Sequence, residues 1–310
     1  MSLRQPTLFF LAASFLSSCN SSINEAQLAS TVDATQGSAK ALYDSGRAAE
    51  SSGKSKKAIK IYHKVSRSYP LSDSAADAKF REASLLDLSG ALLEAFEAYD
   101  SLLSKYPASP YYAISITRQE ILAQLAAGGD LKNPTFIGLK TRVGAKKATE
   151  MLAKVRDNAP RSLSAARAQF TTGEVWKNEN KYDLSIDAFR QVVRDYPDSK
   201  YGPEAQFRIG KILLAQGLEG NQDSANLERS HRAFDDLLLR YPDSKQAGDA
   251  RREIAKLASN EIQRTYDVAE FYRKKGKTSS ALFYFRETVR KSKPGTLHNR
   301  AKAWIVKLGG

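Results

Sequence analysis

Few residues of this 310-residue chain are of types that do covalent or metal chemistry, and their spacing excludes most of it. There is a single cysteine, Cys19, so no internal disulfide and no multi-cysteine zinc site can form. His63, His231 and His298 lie far apart, and none has a second metal-ligating histidine at helical spacing. No Gly-x-Ser-x-Gly elbow, His-Glu-x-x-His pair or phosphate-cradling glycine loop occurs. What remains is one reactive group, the Cys19 thiol, and a set of aromatic and basic side chains suited to binding. No catalytic residue, metal or dissociable cofactor is expected.

The surroundings of Cys19 say what its thiol is for. Arg4 is followed by the apolar run Leu8–Leu16 and then by Ser17-Ser18-Cys19, the layout of a secretory signal with small residues before the cut. The run is far shorter than the ~20 apolar residues a spanning helix needs, and no later segment approaches that length. Leu16-Ser17-Ser18-Cys19 resembles the bacterial lipobox. That resemblance implies cleavage after residue 18, a thioether-linked diacylglycerol on Cys19 and an amide-linked acyl chain. Several chains anchor durably where one is marginal, because each buried CH₂ contributes about 0.8 kcal/mol. Asn20 stands where an Asp retains many lipoproteins at the inner membrane, so by analogy the destination is the outer membrane. Residues 19–37 are small and polar and read as a lipidated tether, with a helical turn open to residues 23–28. The array proper is expected over 38–310.

With 42% apolar and 26% charged residues, the remainder has the composition of a folded soluble domain. It is helix-rich in its pattern and has no period-2 runs. Tyr-Pro recurs at Tyr69-Pro70, Tyr106-Pro107, Tyr196-Pro197 and Tyr241-Pro242, with Ala159-Pro160 in the same role. Twelve residues before each proline stands a small residue: Ala58, Ala95, Ala148, Ser185 and Ser230. Eight before stands a large apolar one: Tyr62, Tyr99, Leu152, Phe189 and Phe234. Gly46, Ala83 and Gly173 lie twenty-four before. This grammar resembles the tetratricopeptide repeat.

Each residue type has a physical reason. Two small residues let helix A cross helix B closely, and the aromatic is expected to fill the gap toward the next repeat. Proline lacks an N–H and clashes with a preceding helical turn, so it stops helix B. The Asp and Ser that follow can cap the next helix. The predicted fold is all-α: a solenoid of five to six tetratricopeptide-like helical hairpins with a C-terminal capping helix over His298–Leu308.

Two insertions interrupt the period. In the third repeat Glu120 takes the helix-A position, and residues 128–143 are surplus, carrying Phe136 and Ile137. In the fifth, which starts from Gly210, residues 219–226 are surplus. Both are expected to be loops. Ala269, Ala281 and Phe285 restore the spacing in the last unit. Between Gln246 and Lys275 the only breaker is Gly248, which predicts one long helix with Ile254, Leu257, Ile262, Tyr266, Ala269 and Tyr272 on its buried stripe.

The stretch Leu257–Thr296, with Val268-Ala-Glu-Phe-Tyr272, Gly276 and Ala281-Leu-Phe-Tyr-Phe285, resembles the C-terminal signature of the BamD family of outer-membrane assembly lipoproteins. The lengthened third repeat around Asn133–Gly138 is similar in placement. The resemblance implies a scaffold anchored by lipid alone to the outer membrane and facing the periplasm. It also implies partners: a BamA-like barrel subunit with POTRA domains, and unfolded outer-membrane protein precursors. The partner surface is expected on the last unit, at Arg264, Tyr266, Phe271, Tyr272, Arg273, Tyr284 and Arg286, because helical spacing cannot hide consecutive Phe283, Tyr284 and Phe285 in one stripe.

Two other readings stand beside this one. A Tol–Pal-associated repeat scaffold usually carries a coiled coil before its repeats, and residues 20–37 are too short for one. A peptidoglycan-cleaving enzyme would need its Glu-Ser at Glu50-Ser51, with no catalytic domain following. The net charge of +14 fits acidic partner surfaces, anionic headgroups or solvated helix faces that keep the protein soluble, since an exported protein does not meet nucleic acid.

Overall fold

The computed structural model describes residues 25–134, 140–218 and 224–310; Cys19, the signal segment, Phe136 and Ile137 lie outside them. The chain divides into two compact units, the first ending at Leu85 and the second beginning at Leu86.

In the first unit α1 (Glu25–Ser51) packs on α2 (Ser55–Ser68), and α3 (Ala75–Leu88) crosses the division near its end. The helix thus starts thirteen residues before the array was expected to begin. Residues 25–36 contain neither proline nor glycine, and Gly37 inside the helix costs only about 1 kcal/mol. The tether shrinks accordingly.

The second unit contains α4 (Leu92–Lys105), α5 (Tyr112–Gly128), α6 (Ala145–Asn158), α7 (Leu163–Asn178), α8 (Tyr182–Asp195), α9 (Tyr201–Leu218), α10 (Ser224–Arg240), α11 (Lys245–Lys274), α12 (Thr278–Lys291) and α13 (Thr296–Lys307). The pairs α5–α6, α7–α8, α9–α10 and α11–α12 pack as hairpins, and α13 closes on α12. All thirteen repeat positions are buried: Gly46, Ala58, Tyr62, Ala83, Ala95, Tyr99, Gly173, Phe189, Gly210, Phe234, Ala269, Ala281 and Phe285.

The side chains refine the reason for the small residues. A Cβ on Gly46 would lie 2.8 Å from Tyr62 Cε1, one on Gly173 2.6 Å from Phe189 Cε1, and one on Gly210 would run into Phe234 Cε1. In these three repeats the aromatic therefore lies edge-on over the glycine of its own first helix, and it also shares a core cluster with the next helix along, Tyr62 with Ala78, Phe189 with Ala205 and Ile209, and Phe234 with Ala247 and Ala250. The small residue on the second helix completes the crossing: Ser185 Oγ donates to the Gly173 carbonyl at 2.8 Å, and Ser230 Oγ to that of Gly210 at 2.9 Å. Two of the joints, after Tyr241-Pro242 and after Ala159-Pro160, are capped by serine. Ser244 Oγ accepts the Ala247 N–H at 3.2 Å, and Ser162 Oγ that of Ala165 at 3.1 Å.

The insertions behave differently from plain loops. In the third repeat, β1 (Lys132–Pro134) pairs antiparallel with β2 (Lys140–Arg142), flanked by buried Leu131 and Val143. Glu120, in place of a small residue, has a largely covered side chain that accepts from Ser164 and pairs with Arg167 at 3.0 Å. In the fifth, residues 224–226 of the surplus form the start of α10, which has 17 residues against 14 in α8, and residues 219–223 lie outside the described residues.

Candidate functional site: the aromatic face of the last hairpin

One unbroken helix, α11, forms because Gln246–Lys275 holds no proline and few residues that compete with the backbone. Its middle, residues 251–265, buries no side chain fully; Ile254, Leu257 and Ile262 are only partly covered, not the continuous buried stripe expected. Burial resumes at Tyr266 and Ala269. Gly276, at φ +70°, supplies the left-handed turn that reverses the chain into α12. Ala281 and Phe285 of α12 and Ala301 of α13 complete the core of this end.

The aromatic residues of these helices divide into two sets. The inner set is Tyr266, Phe285 and Trp304: ring centroids lie 5.5 Å apart for the first pair and 6.3 Å for the second. Arg300 covers the Tyr266 ring at 5.0 Å, and the Arg273 guanidinium lies 4.2 Å over Trp304. Arg273 also donates to Glu270 at 2.8 Å. That charged hydrogen bond holds the Glu270 carboxyl below the usual carboxylate range, against the opposing effect of burial. Tyr266 donates to Glu270 at 3.3 Å, and burial raises its phenol above the ordinary value. Tyr266 is 2% exposed and so belongs to the core, as its place on the buried stripe of the long helix predicts, and not to the partner surface where it was also expected. Arg273 is likewise committed to Glu270 and Trp304.

The outer set is a ladder across the two helices. Phe271 packs edge-on to Tyr272 at 5.5 Å, Tyr272 stacks on Tyr284 at 5.5 Å, and Tyr284 meets Phe283 edge-on at 5.2 Å. Its ends are open to solvent: Phe271 is 55% and Phe283 is 59% exposed. Val268, exposed as well, precedes Phe271 by one turn, and Arg264 precedes Val268 by another. Lys275 lies 5.8 Å from the Phe271 ring. On α12, Arg286 follows Phe283 by one turn and is exposed. Among the described residues, neither Arg264 nor Arg286 has a carboxylate within ion-pairing distance. Of the seven residues expected at a partner surface, Phe271, Tyr272, Tyr284, Arg264 and Arg286 share this outer side. Val268, Phe283 and Lys275 join them; the one-turn spacing 264–268–271–275 was the available signal.

Rigid aromatics flanked by unpaired arginines bind protein surfaces: the rings bring apolar area with few rotatable bonds, and the guanidinium groups supply directed charge. Nothing in this face can do covalent chemistry. Among the described residues no group of His, Cys, Asp or Glu is placed to hold a metal ion, and no helix is long and apolar enough to cross a membrane.

Comparison with known proteins gives matches in the repeats and in the last unit. Residues 210–293 match a family described as an outer membrane lipoprotein. Residues 27–110 and 167–199 match tetratricopeptide-repeat families. The outer membrane protein assembly factor BamD of Caulobacter vibrioides is 23% identical over 192 residues, which is 57% of this chain and 63% of that protein. BamD of Neisseria meningitidis serogroup B is 27% identical over 142 residues, 42% of this chain and 52% of that protein. The chain thus spans between half and two thirds of the length of these curated relatives. Among solved structures, YrrB, a tetratricopeptide-repeat protein with an unusual peptide-binding site, is 16% identical with a TM-score of 0.33, over 68% of this chain and 90% of that one. In its repeats and in its C-terminal unit, the chain is a tetratricopeptide-repeat protein similar to the BamD outer membrane assembly factors.

Proposed function

We propose that this chain is a lipid-anchored scaffold of the β-barrel assembly machinery at the periplasmic side of the outer membrane. In this reading the acylated Cys19 holds the array at the membrane. The last hairpin docks on the POTRA-bearing barrel subunit, and the assembly helps receive and insert unfolded outer-membrane precursors. The chain itself performs no chemistry.

The observation that carries the docking reading is the open aromatic ladder from Phe271 to Phe283 with Arg264 and Arg286 unpaired beside it. It lies within the stretch that matches the outer membrane lipoprotein family. Exposed aromatics at these densities are costly to leave in water and are the residues whose truncation most weakens interfaces. Affinity purification of the full chain in mild detergent tests the reading. Wild type should retain a POTRA-bearing barrel protein. A Phe271→Ala, Phe283→Ala double variant should lose most of it while keeping wild-type helicity. Equal recovery by both proteins would put the docking surface elsewhere.

A further inference from the structure

A second surface lies in the fourth and fifth repeats, away from the aromatic ladder, and does not depend on the function proposed above. Between α8 and α10, over α9, runs a cleft of about 730 Å³. Its floor is apolar, formed by the edges of Val193, Ile209 and Leu213. The Gln206 side-chain amide fixes that floor by donating to the Ala233 carbonyl at 2.8 Å. Its walls are arginine: Arg190 and Arg194 on α8, and Arg229, Arg232 and Arg240 on α10, against one lining carboxylate, Asp236.

The two walls are not equally satisfied within the chain. Arg190 meets Asp187 at 3.1 Å and Arg194 meets Asp195 at 2.8 Å. On the α10 side, Arg229 donates only to the neutral Asn226 at 3.0 Å. Among the described residues Arg232 and Arg240 have no carboxylate partner, and both are exposed. Three guanidinium groups of α10 with no carboxylate partner thus face one apolar trough, an arrangement that favours an anionic occupant. Arginine presents a planar fork that grips a carboxylate through two parallel hydrogen bonds. Arg190 and Arg194 stand one helical turn apart, about 6 Å along the axis, and Arg229 and Arg240 span about 16 Å. An apolar floor between such rows fits a peptide with apolar residues along one edge and carboxylates on both sides. A flat bilayer surface could touch the arginine tips but could not reach the floor.

We propose that the α8–α10 cleft binds an acidic amphipathic peptide segment of a partner protein, with Arg232 and Arg240 as its main anchoring charges. The probe is a fluorescein-labelled fourteen-residue peptide alternating Glu with Leu and Ala, titrated with the full chain in mild detergent and followed by anisotropy. Binding should weaken at least tenfold in the Arg232→Glu, Arg240→Glu variant and fall steeply with added sodium chloride. It should stay unchanged in a charge-matched control, Lys60→Glu, Lys64→Glu, on α2. Ile209→Asp, which changes only the floor, should also weaken it. If its melting temperature drops, Leu213→Gln replaces it. Equal binding of the peptide by wild type and the arginine variant would overturn the proposal. So would loss of binding to phosphatidylglycerol vesicles in that variant with peptide affinity intact.

Discussion

Adding one methyl group at Gly173 probes the packing logic of the whole array. An alanine Cβ there would sit 2.6 Å from Phe189 Cε1 and 2.8 Å from Cζ, about 1 Å inside ordinary carbon–carbon contact. Phe189 cannot retreat: it is fully buried, and the Phe170 ring centroid stands 5.2 Å away. Overpacking of this kind costs about 1–3 kcal/mol. Pushing the helices apart also strains the Ser185–Gly173 hydrogen bond, worth about 0.5–1.5 kcal/mol. Against this, alanine gains about 1 kcal/mol of helix propensity over glycine. The expected net effect is a destabilisation of about 1–3 kcal/mol, read as a lower urea midpoint by far-UV circular dichroism with an unchanged slope. Gly248→Ala is the internal control. It too lies within a helix, but its Cβ would meet only Arg252 Nη1, at 3.9 Å, so propensity alone should raise the midpoint. Combining Gly173→Ala with Phe189→Leu should recover part of the loss. If Gly173→Ala stabilises the protein as Gly248→Ala does, the aromatic does not lie over the glycine and the reasoning is refuted.

Other outcomes are equally specific. Tyr284→Ala with Arg286→Glu should weaken retention of the barrel subunit severalfold at unchanged melting temperature, whereas Arg273→Glu should also lower the melting temperature, because Arg273 packs on Trp304 and pairs with Glu270. The Glu270 carboxyl is held low in the folded protein. Its contribution to stability is therefore present above the unfolded carboxylate value of about 4.3 and is lost as pH falls through the folded one. Glu270→Gln should flatten the acid side of a stability–pH profile and leave the neutral side nearly flat. Cys19→Ser should abolish palmitate labelling and release the chain into the soluble periplasmic fraction; continued labelling would exclude the lipobox.

The repeat register was legible because its determinants are local. Each proline ends a helix, and the small and aromatic positions lie at fixed distances before it, so Ala58 and Tyr62 could be paired with Ser185 and Phe189 without coordinates. What the spacing could not show is which small residue meets which ring. The Gly173–Phe189 contact joins two helices, and a one-dimensional period does not orient a ring. The β1–β2 pair was missed because Lys132–Pro134 and Lys140–Arg142 are three-residue polar strands with no alternation. The early start of α1 is hidden because residues 19–37 are small, polar and weakly patterned, although alanines on both sides carry the helix through Gly37. On the last hairpin, consecutive Phe283, Tyr284 and Phe285 announced that some rings must face solvent. That Tyr266 goes inward depends on α13, whose Trp304 and Arg300 enclose it. The arginine cleft was invisible for a simpler reason. A basic cluster such as Lys54, Lys56, Lys57, Lys60 and Lys64 is contiguous in the sequence, whereas Arg194 and Arg240 lie far apart in the chain and converge only in the fold.

The most direct test of the scaffold role is photo-crosslinking in the producing cell. A benzoylphenylalanine placed at Phe283 or Phe271 should form an adduct with an outer-membrane protein carrying POTRA domains. The same group at Leu71, which is 93% exposed but lies outside both the ladder and the arginine cleft, should form none. An adduct from Phe283 with a Tol–Pal component in place of a barrel-assembly subunit would contradict the account.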